Sequence, residues 1–335
     1  MNRTLPTVLL AAALATGGCG APAQYLTAER ASFARSSAPL TLPSEILYVL
    51  GGSPSTHHPD IEVFDAAKKG SDQKPIYTIP PRGGGEYDLL DVDSSNDLYA
   101  LNYFHNGAEL DVFPPGSKRP SLQCLLPIQP VGLSVAGKTL YLSAFTFKIA
   151  EYALPLHPGK TCPKPSKTLT DQFAKLRGNF FFGVAQDPQG DVFDTWQSAQ
   201  GDQYCHIDIF HAGSETAHPY RNLYRGYGSY LVSDSRGDLA TDVLPNYKKS
   251  GAAIGLFPYG EQQRKFYDYI PNGTYLGLAF ANNDTELFAV KDYPATVVLV
   301  YAYDSAIQHV GKLVTTFSSG IYSDAQIAVY SAGDP

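Results

Sequence analysis

The stretch GVAQDPQGDVF at residues 183–193, followed by IDIF at 207–210, decides the fold. Gly183 to Gln186 has the length and apolar character of a short strand. Asp187 to Asp191 reads as a tight turn, because short Asp side chains bond the local backbone and Gly190 accepts positive φ. Val192 and Phe193 open a second strand, and Ile207 to Phe210 forms a third.

The third-strand phrase is an aliphatic residue, two variable residues, then Phe or Tyr. It recurs at Ile61–Phe64, Leu110–Phe113, Ile149–Tyr152, Ile207–Phe210, Ile254–Phe257 and Val298–Tyr301. Upstream of the copies stand Leu47–Tyr48, Leu98–Tyr99, Leu140–Tyr141, Val192–Phe193, Leu239–Ala240 and Leu287–Phe288, at steps of 51, 42, 52, 47 and 48 residues. Turns rich in Asp, Asn and Gly precede them, at 93–97, 187–191, 234–238 and 282–286. Before the turns lie short inner strands: 89–93, 132–135, 182–187, 230–234 and 276–280. After the aromatic come outer strands at 75–79, 121–126, 265–270 and 309–316. No helical period intervenes.

Units of four antiparallel strands at this spacing match the blades of a β-propeller, which bury their faces only by stacking round an axis. The sequence predicts an all-β, six-bladed propeller over residues 45–331. Leu47–Tyr48 has no inner strand before it, and DAQIAVY at 324–330 is an inner strand without a blade. Gln326–Val329 is therefore expected beside Leu47–Val49, so that the C-terminal strand completes the first blade. Residues 332–335 are a tail.

The 183–210 stretch resembles an NHL-type repeat. The region 45–331 is similar to six-bladed propellers of the NHL, TolB-like and gluconolactonase group. That resemblance implies architecture more than activity, since one fold hosts many chemistries.

The first eighteen residues read as a separate text. Arg3 is a positive start, Val8 to Ala15 an apolar core too short to span a bilayer, and Thr16, Gly17 and Gly18 precede Cys19. The pattern resembles a bacterial lipobox. It implies cleavage before Cys19, lipidation of its thiol, and a membrane anchor. Residues 19–44 follow as a flexible Ala/Ser/Pro-rich tether. The expected location is the cell envelope, exported, with Gly20 pointing to the outer membrane. Loss of Arg3 with residues 1–18 takes the formal charge from −7 to −8, a poor balance for nucleic-acid binding. A monomer is expected. Three cysteines remain in the mature chain. Cys124 and Cys162 occupy similar outer-strand positions of neighbouring repeats, where export permits a disulfide; free thiols are the alternative, as for Cys205.

In a propeller the links between blades, and between second and third strands, gather at one face. Trp196, Tyr103, Phe145 and Tyr247 from four blades are candidates for an aromatic rim there, with Arg177 and Arg225 able to pair an anionic or polar group. His57, His58 and Asp60, with His105 from the next blade, form a candidate divalent-metal cluster; a solvated loop is the alternative. The gluconolactonase resemblance implies carboxylates and Asn round an ion, for which Glu86, Asp88, Asn179, Asn272 and Asp324 are the inventory. No nucleophile elbow or complete calcium loop is present. The leading reading is a lipoprotein whose propeller binds a small molecule, glycan or protein through its loop face, with no cofactor. The alternatives are a divalent-metal lactonase and a structural scaffold.

Overall fold

The computed structural model describes residues 42–51, 60–68, 70, 73–105, 107–198, 205–223, 230–243, 251–259, 265–271, 275–281, 283–291, 297–317 and 327–331. They form six blades of four antiparallel strands. Blade one contains β1 (Glu45–Gly51), β2 (Asp60–Asp65) and β3 (Tyr77–Ile79). Blade two is β4 (Glu86–Val92), β5 (Leu98–Phe104), β6 (Gly107–Phe113) and β7 (Leu122–Leu125). Blade three is β8 (Pro130–Ala136), β9 (Thr139–Ala144), β10 (Lys148–Ala153) and β11 (Lys167–Thr170). A helix, α1 (Gln172–Arg177), leads into blade four: β12 (Gly178–Gln186), β13 (Val192–Ser198), β14 (Cys205–Phe210) and β15 (Ala217–Leu223). Blade five is β16 (Val232–Ser233), β17 (Leu239–Val243), β18 (Gly251–Phe257) and β19 (Lys265–Pro271). Blade six is β20 (Tyr275–Phe280), β21 (Glu286–Lys291), β22 (Val297–Asp304) and β23 (His309–Phe317). The last strand, β24 (Ile327–Ser331), returns to blade one as its innermost strand.

That return closes the ring as the sequence predicts. β24 pairs with β1 from Glu45↔Ser331 to Val49↔Ile327. Ile327, Ala328 and Val329 are buried in a cluster shared by blades one, two and six.

The recurring phrase exists because its ends are core. Phe64, Phe113, Tyr152, Phe210, Phe257 and Tyr301 are all buried, as are the aliphatic residues three positions before them. Each of the five apolar clusters joins neighbouring blades. Stability is therefore carried between repeats rather than within them.

The Asp-rich turns stand on the lower face. Asp93 Oδ1 accepts the N–H groups of Ser95 and Asp97, both at 2.9 Å, and Asp234 Oδ1 those of Arg236 and Asp238 at 2.9 and 2.8 Å. The fourth turn residue has positive φ in three of them, Asn96 at 63°, Gly190 at 88° and Gly237 at 90°, and in the turn before β21 the positive-φ residue is Asp284 at 54°. The closing Asp ties this turn to the next hairpin, Asp191 accepting from Ala212 N–H and Asp238 from Tyr259 N–H, each at 2.8 Å. Near the axis the strands crowd. A Cβ on Gly132 would stand 2.4 Å from the Phe182 carbonyl oxygen.

Cys124 and Cys162 are joined as a disulfide. Their placement differs from two equivalent outer strands. Cys124 lies in β7, whereas Cys162 precedes β11 and lies against the edge of blade two. Cys162 N–H donates to Leu125 O, and Leu125 N–H to Lys160 O. The bridge thus pins a segment of blade three over a sheet edge that would otherwise be open. Cys205 is buried and takes part in no disulfide. No helix among the described residues is long and apolar enough to cross a membrane.

Candidate functional site

The innermost strands line a central channel with a cavity of about 180 Å³. Its lining residues are mostly aliphatic, with Gly132, Gly183 and Gly277 among them, and leave much backbone polar surface facing the cavity. Asp91 is the one charged residue among the described lining. Its Oδ2 accepts Val135 N–H at 2.6 Å and its Oδ1 accepts Val92 N–H at 2.8 Å, which clips blade two to blade three. Burial pushes its carboxyl up to about 7, against those two hydrogen bonds.

The aromatic rim is not built as expected. Trp196 is only 3% exposed and packs with Tyr141, Ile149, Leu169 and Phe181 between blades three and four. Its Nε1–H donates to Asp208 Oδ2 at 3.1 Å, and its ring stacks on His206 at 4.2 Å. Tyr103 belongs to a different cluster, between blades two and three, and its hydroxyl donates to Pro130 O. The physical reason is strand length. β13 runs to Ser198 and β5 to Phe104, so both residues lie inside strands whose faces are covered by neighbouring blades. Tyr247 and Arg225 lie outside the described residues.

Phe145 and Arg177 remain, and the structure sets them at one corner. Phe145 occupies the turn from β9 to β10 and is 53% exposed. Beside that turn sits α1, which the sequence reading missed because six residues are too few to show a helical period. Asp171 caps it, with Oδ1 accepting from Phe173 N–H at 2.7 Å and Ala174 N–H at 2.9 Å. Lys175 and Arg177 fall in the last turn, where the helix dipole favours cations. Asp171 N–H donates to Phe147 O, and Phe147 meets Phe181 edge-on, so turn and helix form one unit. Only Ala174 of the helix is buried. Leu176 is left 79% exposed, and Phe180 at the start of β12 is 43% exposed. Exposed Lys175 and Arg177 stand either side of Leu176 in the helix and exposed Lys148 follows the turn of Phe145, whereas Phe180 lies beside Phe182, which packs on the side toward blade five. The other large exposed apolar residues, such as Leu125, Ile307 and Leu313, belong to outer strands and lower turns.

The metal inventory fares differently. His57 and His58 lie outside the described residues, as do Asn272 and Asp324. Asp60 opens β2 with its carboxyl raised by burial, and His105 is exposed at the end of its strand. Glu86 and Asp88 point outward and are exposed. Among the described residues no three His, Cys, Asp or Glu side chains converge as metal ligands. Cys19 likewise lies outside the described residues.

No protein-family model matches the chain, and no curated protein matches it in sequence. Solved structures do match. A proposed 6-phosphogluconolactonase from Bacteroides uniformis shares 13% identity with a TM-score of 0.52, over 84% of this chain and 85% of that one. A second from Bacteroides fragilis shares 13% identity with a TM-score of 0.53, over 85% of each chain. A chain of a nidogen/laminin complex shares 12% identity with a TM-score of 0.56, over 87% of this chain and 99% of that one. At such identities the likeness is one of fold.

Proposed function

We propose that this chain is an exported, lipid-anchored binding protein whose propeller engages an acidic, partly apolar segment of a protein partner at the corner between blades three and four. One observation carries the reading: Phe145 and Leu176 stand exposed beside the exposed cations Lys148, Lys175 and Arg177. Apolar anchors among cations suit a ligand of opposite charge, in a protein whose net charge is −7.

The test is a peptide array drawn from envelope proteins, probed with the mature chain. Acidic peptides with aliphatic or aromatic anchors should bind, more weakly as salt rises. The pair Phe145→Ser and Leu176→Glu should lose about tenfold or more in affinity while stability stays within about 0.5 kcal/mol. Binding that ignores salt and survives this pair would overturn the reading. For the anchor, Cys19→Ser should move the protein from the membrane fraction to the soluble one. Retention in membranes after a high-salt wash would count against a lipid tether.

The rival reading is a lactonase, suggested by the descriptions of two fold relatives. The channel offers it Asp91 as a base, but both oxygens are already engaged by backbone N–H groups. The described residues do not fit the divalent ion that such a reading implies. Lactone hydrolysis that chelation abolishes would restore it.

A further inference from the structure

Beneath α1 lies a group of three buried aspartates that the binding reading does not use. Asp171 comes from the link before the helix, Asp194 from β13 and Asp208 from β14. Asp194 and Asp208 are direct cross-strand partners. Their exposures are 1%, 0% and 2% in chain order. Among the described residues no donor reaches hydrogen-bond geometry on either carboxyl oxygen of Asp194 or on Oδ2 of Asp171. The same repeat position in blade two shows what a satisfied version looks like. Asp111 there is a single carboxylate with two donors, Tyr87 Oη and Gln123 Nε2, each at 3.0 Å. Among the described residues blade four sets three carboxyls against one side-chain donor, Trp196 Nε1–H.

Such a group needs positive charge from somewhere. The surroundings offer little. On β13 and β14 the facing groups are the neutral Trp196 indole and the His206 ring stacked on it. Blade three contributes Tyr141, Ile149 and Leu169, and β15, paired with β14, carries His218 and Arg221, whose guanidinium lies over the Tyr220 ring. The cations of α1, Lys175 and Arg177, are at its exposed far end. Among the described residues no cationic side chain is one of the main influences on the three carboxyls. Nor do they converge as a metal-ligand set.

We propose that Asp171, Asp194 and Asp208 share protons in place of a countercharge, and that losing those protons releases the cap of α1 and dismantles the exposed corner. Each shared proton is bound to one carboxyl oxygen and donated to another. When it leaves for solvent hydroxide, two carboxylates face each other in a dry site. Asp171 is the member free to move, because it lies in a link rather than a strand. Its Oδ1 holds Phe173 and Ala174, so its movement uncaps the helix that carries Leu176. Burial pushes all three carboxyls upward, and repulsion from Asp171 adds to it at Asp194 and at Asp208, which reaches about 8. The folded protein therefore holds more protons than the unfolded chain from about pH 4 to about pH 8, and stability falls across that window as pH rises.

This regulation rests on the binding reading, but its test needs no partner. Amide hydrogen exchange at Phe173 and Ala174, corrected for intrinsic pH dependence, is measured from about pH 6 to about pH 9 in the full chain. Protection should fall by about tenfold or more in the native protein, a change worth one unit of pKa. Asp194→Asn keeps a neutral donor without the charge and should hold protection nearly constant. Asp171→Asn keeps a capping oxygen and provides a second variant should the first not fold. Equal loss of protection in native protein and variant would overturn the proposal. So would restoration of protection at about pH 8.5 by millimolar calcium, which would replace shared protons by a bound cation. A peptide array that yields no ligand, with exchange behaving as expected, would sink the binding reading alone.

Discussion

Ending the chain at residue 326 is expected to lower stability by about 4 kcal/mol or more, since it removes the buried Ile327 and Val329, at about 1.5–3 kcal/mol for each side chain. The loss goes beyond those contacts. β24 is the innermost strand of blade one, and its removal exposes the whole edge of β1. An open, apolar edge pairs with other chains, so the truncated protein should also aggregate at concentrations where the full chain does not. Denaturant titration and size-exclusion chromatography read the two effects. An unchanged unfolding midpoint would show that the ring does not depend on this closure.

Trp196→Ala should cost about 3–5 kcal/mol, the range for removing a large buried aromatic. Trp196→Phe divides that cost. It retains most of the packing against Tyr141 and Phe181 but strips Asp208 of its indole donor, worth about 1–3 kcal/mol where the carboxyl remains buried. As the only Trp in the chain, Trp196 also reports directly on its surroundings. Its emission should be that of a buried indole and shift to the red only on unfolding. A solvent-exposed spectrum in the folded protein, or an alanine variant of undiminished stability, would place the residue back on the surface.

The repeat made the fold legible. A phrase whose aromatic end is buried in all six copies cannot drift without opening a gap between blades. The turn residues were equally readable, because Asn96, Gly190 and Gly237 sit where the backbone takes positive φ. The site was less so, for two physical reasons. A blade strand is covered on both faces, so β13 is buried over five consecutive residues and shows no alternation to say which side chain faces outward. Trp196 and Tyr103 were misplaced by that silence. The helix, in turn, is held by its Asp171 cap and by one buried residue, Ala174, rather than by an amphipathic stripe. Leu176 carried no signal that it would be exposed. A signal for the acid cluster did exist. Asp208 occupies the position of Asp111 and Glu62 in their phrases, and Asp194 stands where blade two has Ala100. Aligning the repeats against one another, rather than reading each alone, brings those acids together.

The pairing of Glu45 with Ser331 has a consequence for how the chain may be written. In blade two the same inner-to-second connection is made covalently, by the short turn between β4 and β5. In blade one it is made by hydrogen bonds alone, between the first and last strands of the ring. Blade order along the gene is then a matter of where a circle was opened. A circular permutant that links Ser331 to Glu45 through a tight turn, and starts instead at the link between β7 and β8, keeps every strand pairing of the ring.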